Sequence, residues 1–143
     1  MPSPSLPAAP RRAVLLAAML GSALWLAGCA ALQPKTPEEI VAQRVEQRWA
    51  ALIARDFDKA WGYTQPSYRA AFKREDYAKR FGTAGQWRGV QVHGVTCEAE
   101  RCAVRIRLTT RLMLPPAAGR DVVGFLDETW VREDGQWWFY QAL

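Results

Sequence analysis

Hydrophobic positions along the chain follow three regimes in turn. Residues 13–27 are almost wholly apolar with no period, directly after Arg11 and Arg12. A run of about 15 residues is shorter than the roughly 20 that a spanning helix needs. A positive flank, a short apolar core and small residues at its end make the pattern of a secretory signal. From Thr36 the period becomes helical. Thr36 is placed to cap, Pro37 suits the first helical position, and Glu39 completes a capping box. Val41, Val45, Trp49 and Leu52 then recur at helical spacing beside Ile53, while Gln43, Arg44, Glu46, Gln47 and Arg48 mostly cover the other side. That predicts an amphipathic helix to about Arg55. A short second helix carries Phe57, Ala60 and Trp61 on one face and stops at Gly62. Gln65-Pro66 forces a turn, residues 67–72 read as another helical turn, and a last helix runs from Glu75 through Phe81 to Gly82.

After Gly85 the period is two. Strands are expected over residues 87–97, 102–114, 121–133 and 136–141. Asp134-Gly135 between the last two is the favoured type I′ hairpin dipeptide. Helices first and antiparallel strands after them predict an α+β domain, with N-terminal helices packed on a curved antiparallel sheet of four strands.

The apolar run ends in Leu26-Ala27-Gly28-Cys29, which resembles the lipobox of bacterial lipoproteins. The resemblance implies a diacylglyceryl thioether on Cys29, cleavage before it and acylation of the new amine. With Ala30 rather than Asp in the next position, it implies the periplasmic face of the outer membrane in a Gram-negative envelope. Several acyl chains anchor stably, because each buried methylene contributes about 0.8 kcal/mol. The chain then divides into a signal peptide (1–28), a lipidated cysteine with a short tether (29–36) and a domain (37–143). The Arg11-Arg12 pair also suits a twin-arginine signal but lacks the Ser or Thr before it and the Phe after it. Processing leaves 17 basic and 14 acidic side chains, a formal balance of +3. That suits anionic lipid or cell-wall polymer, and equally an ordinary solvated surface. No nucleic acid is expected in such a location.

With Cys29 given to lipid, Cys97 and Cys102 remain, and an oxidising compartment makes a disulfide the natural reading. They bracket a polar connection between two strands, so the bridge would fix register at the open end of a hairpin. Zinc is the competing idea and fails on ligand count, since two cysteines and His93 do not make a four-ligand shell. No metal or cofactor is expected.

Two further stretches carry a second resemblance. "RDFDKAWGYTQPSYRAAF" (55–72) after the first helix, and the terminal "ETWVREDGQWWFYQ" (128–141), are similar to the NTF2-like, or SnoaL-like, cone fold. The likeness implies a cavity between sheet and helices, used for catalysis in members such as ketosteroid isomerase, and pairing of copies through the sheet. No position matches the isomerase's catalytic carboxylates.

Candidate chemistry is sparse. Pairing Cys97 with Cys102 puts His93 opposite Ile106, on a face with Val95 and Val104, where a lone histidine is more often a hydrogen-bonded core residue than a catalyst. Asp127 lies inside the third strand on the side that carries Thr129 and Tyr140. It suits proton abstraction in an apolar cavity, or an outward aspartate paired with a neighbouring arginine. Tyr63 is a third weak candidate. Arg105, Arg107 and Arg111 share one face of the second strand, with Arg88 beside Arg111 if the register holds. They form either a binding stripe or a solvated face with Glu128 or Asp121 as partner. Trp137 and Trp138 are adjacent on a strand and must point to opposite faces, so one of them is free for a partner or a homodimer seam. The leading expectation is a lipid-anchored, non-catalytic module that binds a small apolar ligand or an envelope protein. A cavity enzyme doing proton transfer and a structural accessory subunit of an envelope complex are the alternatives.

Overall fold

The computed structural model describes residues 34–81 and 85–142. The signal peptide and the lipidated Cys29 lie outside the described residues. The elements run α1 (Pro37–Ile53), α2 (Phe57–Trp61), α3 (Pro66–Ala71), α4 (Arg74–Lys79), β1 (Gly85–Glu98), β2 (Arg101–Leu112), β3 (Asp121–Glu133) and β4 (Gln136–Phe139). The four strands form one antiparallel sheet in the order β1-β2-β3-β4. The fold is therefore α+β, with N-terminal helices on an antiparallel sheet.

Local chemistry sets the helix ends. The Thr36 hydroxyl accepts from the Glu39 N–H, and the Glu39 carboxylate accepts from the Thr36 N–H at 2.9 Å. Two of the orphan donors at the start of α1 are thereby satisfied. α1 ends where Arg55 turns into the left-handed region at φ 60°. Asp56 then caps α2 by accepting from the Lys59 N–H at 3.0 Å. Asp134 and Gly135 both have positive φ, 52° and 75°, as a type I′ turn requires.

One face of α1 and one face of the sheet make the core. Val41, Val45, Trp49 and Leu52 meet Val104, Ile106, Trp130 and Trp137, all buried. In β2 the alternation holds as far as Leu108: Cys102, Val104, Ile106 and Leu108 point in, while Ala103 and Arg105 point out. The Cys97–Cys102 disulfide closes the β1–β2 hairpin.

β1 departs from simple pairing. Cys97 faces Cys102 and Gly94 faces Arg105, but Val92 faces Ile106 and Gln86 faces Arg111. Register shifts lie between Val92 and Gly94 and between Trp87 and Gly89. Each inserts one residue, and a bulge re-aims the side chain it carries. The first insertion moves His93 off the position opposite Ile106 and leaves it exposed. It also takes Arg88 from the position beside Arg111, and the second makes Arg88 the skipped residue, so that Gln86 faces Arg111. Both placements correct the unbroken register expected from the disulfide.

The sheet is unevenly covered. β4 pairs only with the last residues of β3, Trp130 to Glu133, and the Tyr140 N–H extends the pairing to the Thr129 carbonyl at 2.9 Å. The outer edge of β4 is taken by the chain before α3: the Phe139 N–H donates to the Tyr63 carbonyl at 2.8 Å, and the Gln65 N–H to the Phe139 carbonyl at 3.1 Å. Along β3 from Asp121 to Asp127, no strand among the described residues pairs on that side. There Val122, Val123, Phe125 and Leu126 are each 42–49% exposed.

Candidate functional site

Inside the domain, the polar chemistry converges on Glu128. Its parity along β3 puts it inward with Trp130, and the two are buried together. One carboxylate oxygen accepts from Arg48 Nη1 at 2.9 Å and from Trp49 Nε1 at 2.8 Å; the other accepts from Trp130 Nε1 at 3.0 Å. Arg48 is 4% exposed. Its guanidinium carbon lies 3.6 Å from the Phe139 ring centroid, and Nη2 reaches the Tyr77 hydroxyl at 3.5 Å. Burial pushes the Tyr77 phenol up from its usual value, and the Arg48 charge pulls it partly back. A buried ion pair is better tolerated the more of its remaining donors and acceptors are met; here three donors converge on one carboxylate, while Arg48 Nε is enclosed without an acceptor. Sequence periodicity placed Arg48 on the polar side of α1 and offered Glu128 to the arginine stripe. Both readings are corrected. The signal available was that Arg48 lies next to Trp49 and three residues from Val45, at the border of the apolar face.

The predicted candidates occupy three separate places. On the outer face of the sheet, His93, Thr96, Ala103, Arg105 and Asp127 line a shallow hollow of about 250 Å³. Asp127 is exposed and accepts from Arg105 Nη1 at 3.3 Å. The His93 ring meets the Phe125 ring edge-on at 5.3 Å, and Arg105 lies 5.2 Å from the same ring. Asp127 therefore faces solvent rather than an apolar cavity. Arg107 donates to Gln91 Oε1 at 3.1 Å, and Arg111 pairs with Asp121 through two bonds of 2.8 and 3.0 Å. The Arg111 hydrogen bonds lower the Asp121 pKa, and Arg88 adds a smaller pull. The stripe is thus matched along its length by polar partners on β1 and β3.

Tyr63 is not brought to this face. Its hydroxyl donates to Gln47 Oε1 at 3.2 Å. Trp137 is buried in the core, and Trp138 lies on the opposite face. The Trp138 ring is flanked by two guanidinium groups, Arg44 at 4.9 Å and Arg69 at 4.7 Å, and its Nε1 donates to the Glu133 carbonyl at 3.1 Å. A further hollow of about 290 Å³ lies where α1 ends, with Leu52, Phe57, Phe81 and Trp87 among its lining residues. Among the described residues no cluster of three metal-ligating side chains occurs, and no helix is long and apolar enough to cross a membrane.

No family model and no curated protein matches the sequence. Solved structures do. A SEC-C motif containing protein from Rhodopseudomonas palustris is similar at a TM-score of 0.52 and 20% identity, over 66% of this chain and 70% of that one. A protein from Thiobacillus denitrificans described as a calcium/calmodulin-dependent protein kinase type II association domain is similar at a TM-score of 0.51 and 19% identity, over 75% and 93% of the two chains. A protein from Campylobacter jejuni described as an NTF2-like transpeptidase is also a structural neighbour, at a TM-score of 0.47 and 12% identity over 68% and 94% of the two chains. Likeness at such identities speaks to the fold alone. The fold is α+β, and the reported matches with TM-scores above 0.5 include a SEC-C motif containing protein.

Proposed function

We propose that this chain is a lipid-anchored protein of the cell envelope, joined through Cys29 to the periplasmic face of the outer membrane. Its domain binds another protein through β3 rather than turning over a substrate. The observation that carries the binding reading is the uncovered half of β3. Strand edges present unpaired N–H and C=O groups, and natural proteins shield them with charge, proline or a covering segment. Among the described residues the edge of β4 is covered and that of β3 from Asp121 to Asp127 is not, and this stretch reads Val122-Val123-Gly124-Phe125-Leu126 between two aspartates. Addition of a partner strand to such an edge supplies main-chain hydrogen bonds, and Val123 and Phe125 on the outer face supply specificity. The interior offers less to an enzyme. Its one buried carboxylate, Glu128, is engaged by three donors, and Tyr63 stands apart from Asp127 and His93.

A photo-cross-linking residue at position 125 of the full chain in its native membrane tests the binding half. A discrete adduct is expected, with a second copy of the chain or with another envelope protein, and Val123→Pro should abolish it. The alternation that aims the Thr129 carbonyl toward the Tyr140 side aims the Val123 N–H the same way, so the proline leaves the β2 ladder intact. No adduct, or one that survives Val123→Pro, would overturn the binding site. Labelled palmitate entering the wild type but not Cys29→Ala tests the anchor separately.

A further inference from the structure

We infer that the hollow between the start of α1 and the β3–β4 turn binds a phosphate-bearing anion. The hollow holds about 290 Å³ and brings together Lys35, Arg44 and Arg132 with Pro37, Ile40 and Trp137. Three cations of one sign line it. All 14 carboxylate side chains of the sequence lie among the described residues, so the side-chain carboxylate partners of these cations can be accounted for. Neither Lys35 nor Arg44 forms an ion pair with any of them; Lys35 Nζ donates to Gln43 Oε1 at 2.7 Å. Arg132 comes only within 3.9 Å of Glu100, an exposed contact. Glu39, the acid on the first turn of α1, is committed to its capping box.

Arg44 is the anomaly. It is half-buried, its Nε, like that of Arg48, is enclosed without an acceptor, and burial lowers its pKa; unlike Arg48 it has no carboxylate beside it. It is held by aromatic faces, 5.2 Å from the Tyr63 centroid and 4.9 Å from the Trp138 centroid. Arg69 occupies part of the same Trp138 surface. Rings orient a guanidinium but do not neutralise it. A cation drawn out of water normally finds a counter-charge, and among the described residues this one has none. An incoming oxyanion would supply it. Guanidinium groups suit phosphate because their planar fork donates two parallel bonds, while Lys35 adds a point charge. Pro37, Ile40 and Trp137 supply an apolar wall for whatever carries the phosphate. Lys35 follows Cys29 by six residues, which extended chain spans in at most about 20 Å. If Cys29 is acylated, as proposed above, lipid phosphate is within reach of the hollow. A free phosphate ester offers the same chemistry without that condition.

The test uses the full chain in neutral detergent, titrated with sn-glycerol 1-phosphate by calorimetry, and flotation with phosphatidylglycerol against phosphatidylcholine vesicles. Arg44→Gln and Arg132→Gln should each weaken glycerol phosphate binding about tenfold, the loss of one charge-assisted contact. Arg44→Lys should recover part of the loss. Arg120→Gln, which removes the same charge from an exposed loop, should change it by less than about twofold. Binding to glycerol phosphate and preferentially to phosphatidylglycerol vesicles, both lost in Arg44→Gln, identifies a headgroup site. Binding to the soluble ester alone identifies a phosphate-ester site. No binding of either probe, or equal losses in Arg44→Gln and Arg120→Gln, overturns the inference. None of these outcomes depends on palmitate labelling, so this site and the anchor fail separately.

Discussion

Arg44 and Arg48 stand one helical turn apart on α1, and the fold treats them in opposite ways. Arg48 is fully buried and meets Glu128 at 2.9 Å, with Phe139 beneath it. Arg44 is half-buried, lies against Tyr63 and Trp138, and meets no carboxylate. Residues at i and i+4 share a helix face, so the difference does not come from α1. It comes from what the sheet places opposite. β3 presents Glu128 to one arginine, while β4 and the segment before α3 present rings to the other. The first charge is locked into the architecture. The second is oriented and left available.

The largest expected effect tests the locked side. Arg48→Met leaves Glu128 buried without its counter-charge and should lower unfolding free energy by about 3–5 kcal/mol, measured by denaturant titration. The double variant Arg48→Met/Glu128→Leu removes both charges and should regain most of that loss. If it does not, the pair does more than neutralise itself. Trp49→Phe and Trp130→Phe each delete one donor to Glu128 and should cost about 1.5–3 kcal/mol, the range for hydrogen bonds to charged groups. Equal, near-zero effects would mean that solvent reaches the carboxylate. On the available side, Arg44→Met keeps the stem and drops only the guanidinium. Its stability change should fall within about 1 kcal/mol, since lost contacts to the rings are offset by relief from desolvation. A loss comparable to Arg48→Met would erase the contrast. The smallest and sharpest test is salt. Raising sodium chloride toward 1 M shortens the Debye length to about 3 Å. It should weaken glycerol phosphate binding while leaving the destabilisation caused by Arg48→Met unchanged, because a buried pair is poorly screened.

Period and punctuation in the sequence placed most elements. The capping box at Thr36, Gly62 after Trp61, Gln65-Pro66 and Asp134-Gly135 are local devices with local consequences, and β3 begins and ends where the alternation does. The strands beside it are shorter than their apolar patterns. β4 ends at Phe139, whose outer edge bonds the Tyr63–Gln65 segment, with one further bond to β3 from the Tyr140 N–H. Register was readable from the disulfide only as far as Gly94. Beyond it two inserted residues re-aim His93 and Arg88; each directly precedes a glycine, Gly94 and Gly89, and a glycine inside a strand pattern is the local sign of a bulge, which alternation alone does not carry. The arginine stripe was legible, and so was the split between Trp137 and Trp138. The Arg48–Glu128 pair was not, because its partners are 80 residues apart and each looks like an ordinary surface charge in its own element.

The sequence by itself determined the α+β order, the helix caps, the β3–β4 turn and the alternation of β2. These depend on residues close along the chain, where backbone angles and side-chain period are set. Only the tertiary structure decided which of two arginines on α1 would be neutralised, how far the bulges of β1 would shift its register, and which stretch of β3 no other described strand would pair. Those outcomes depend on which side chains and strand lengths meet across the sheet, and charge burial is priced by the neighbours found there rather than by the residue that carries the charge.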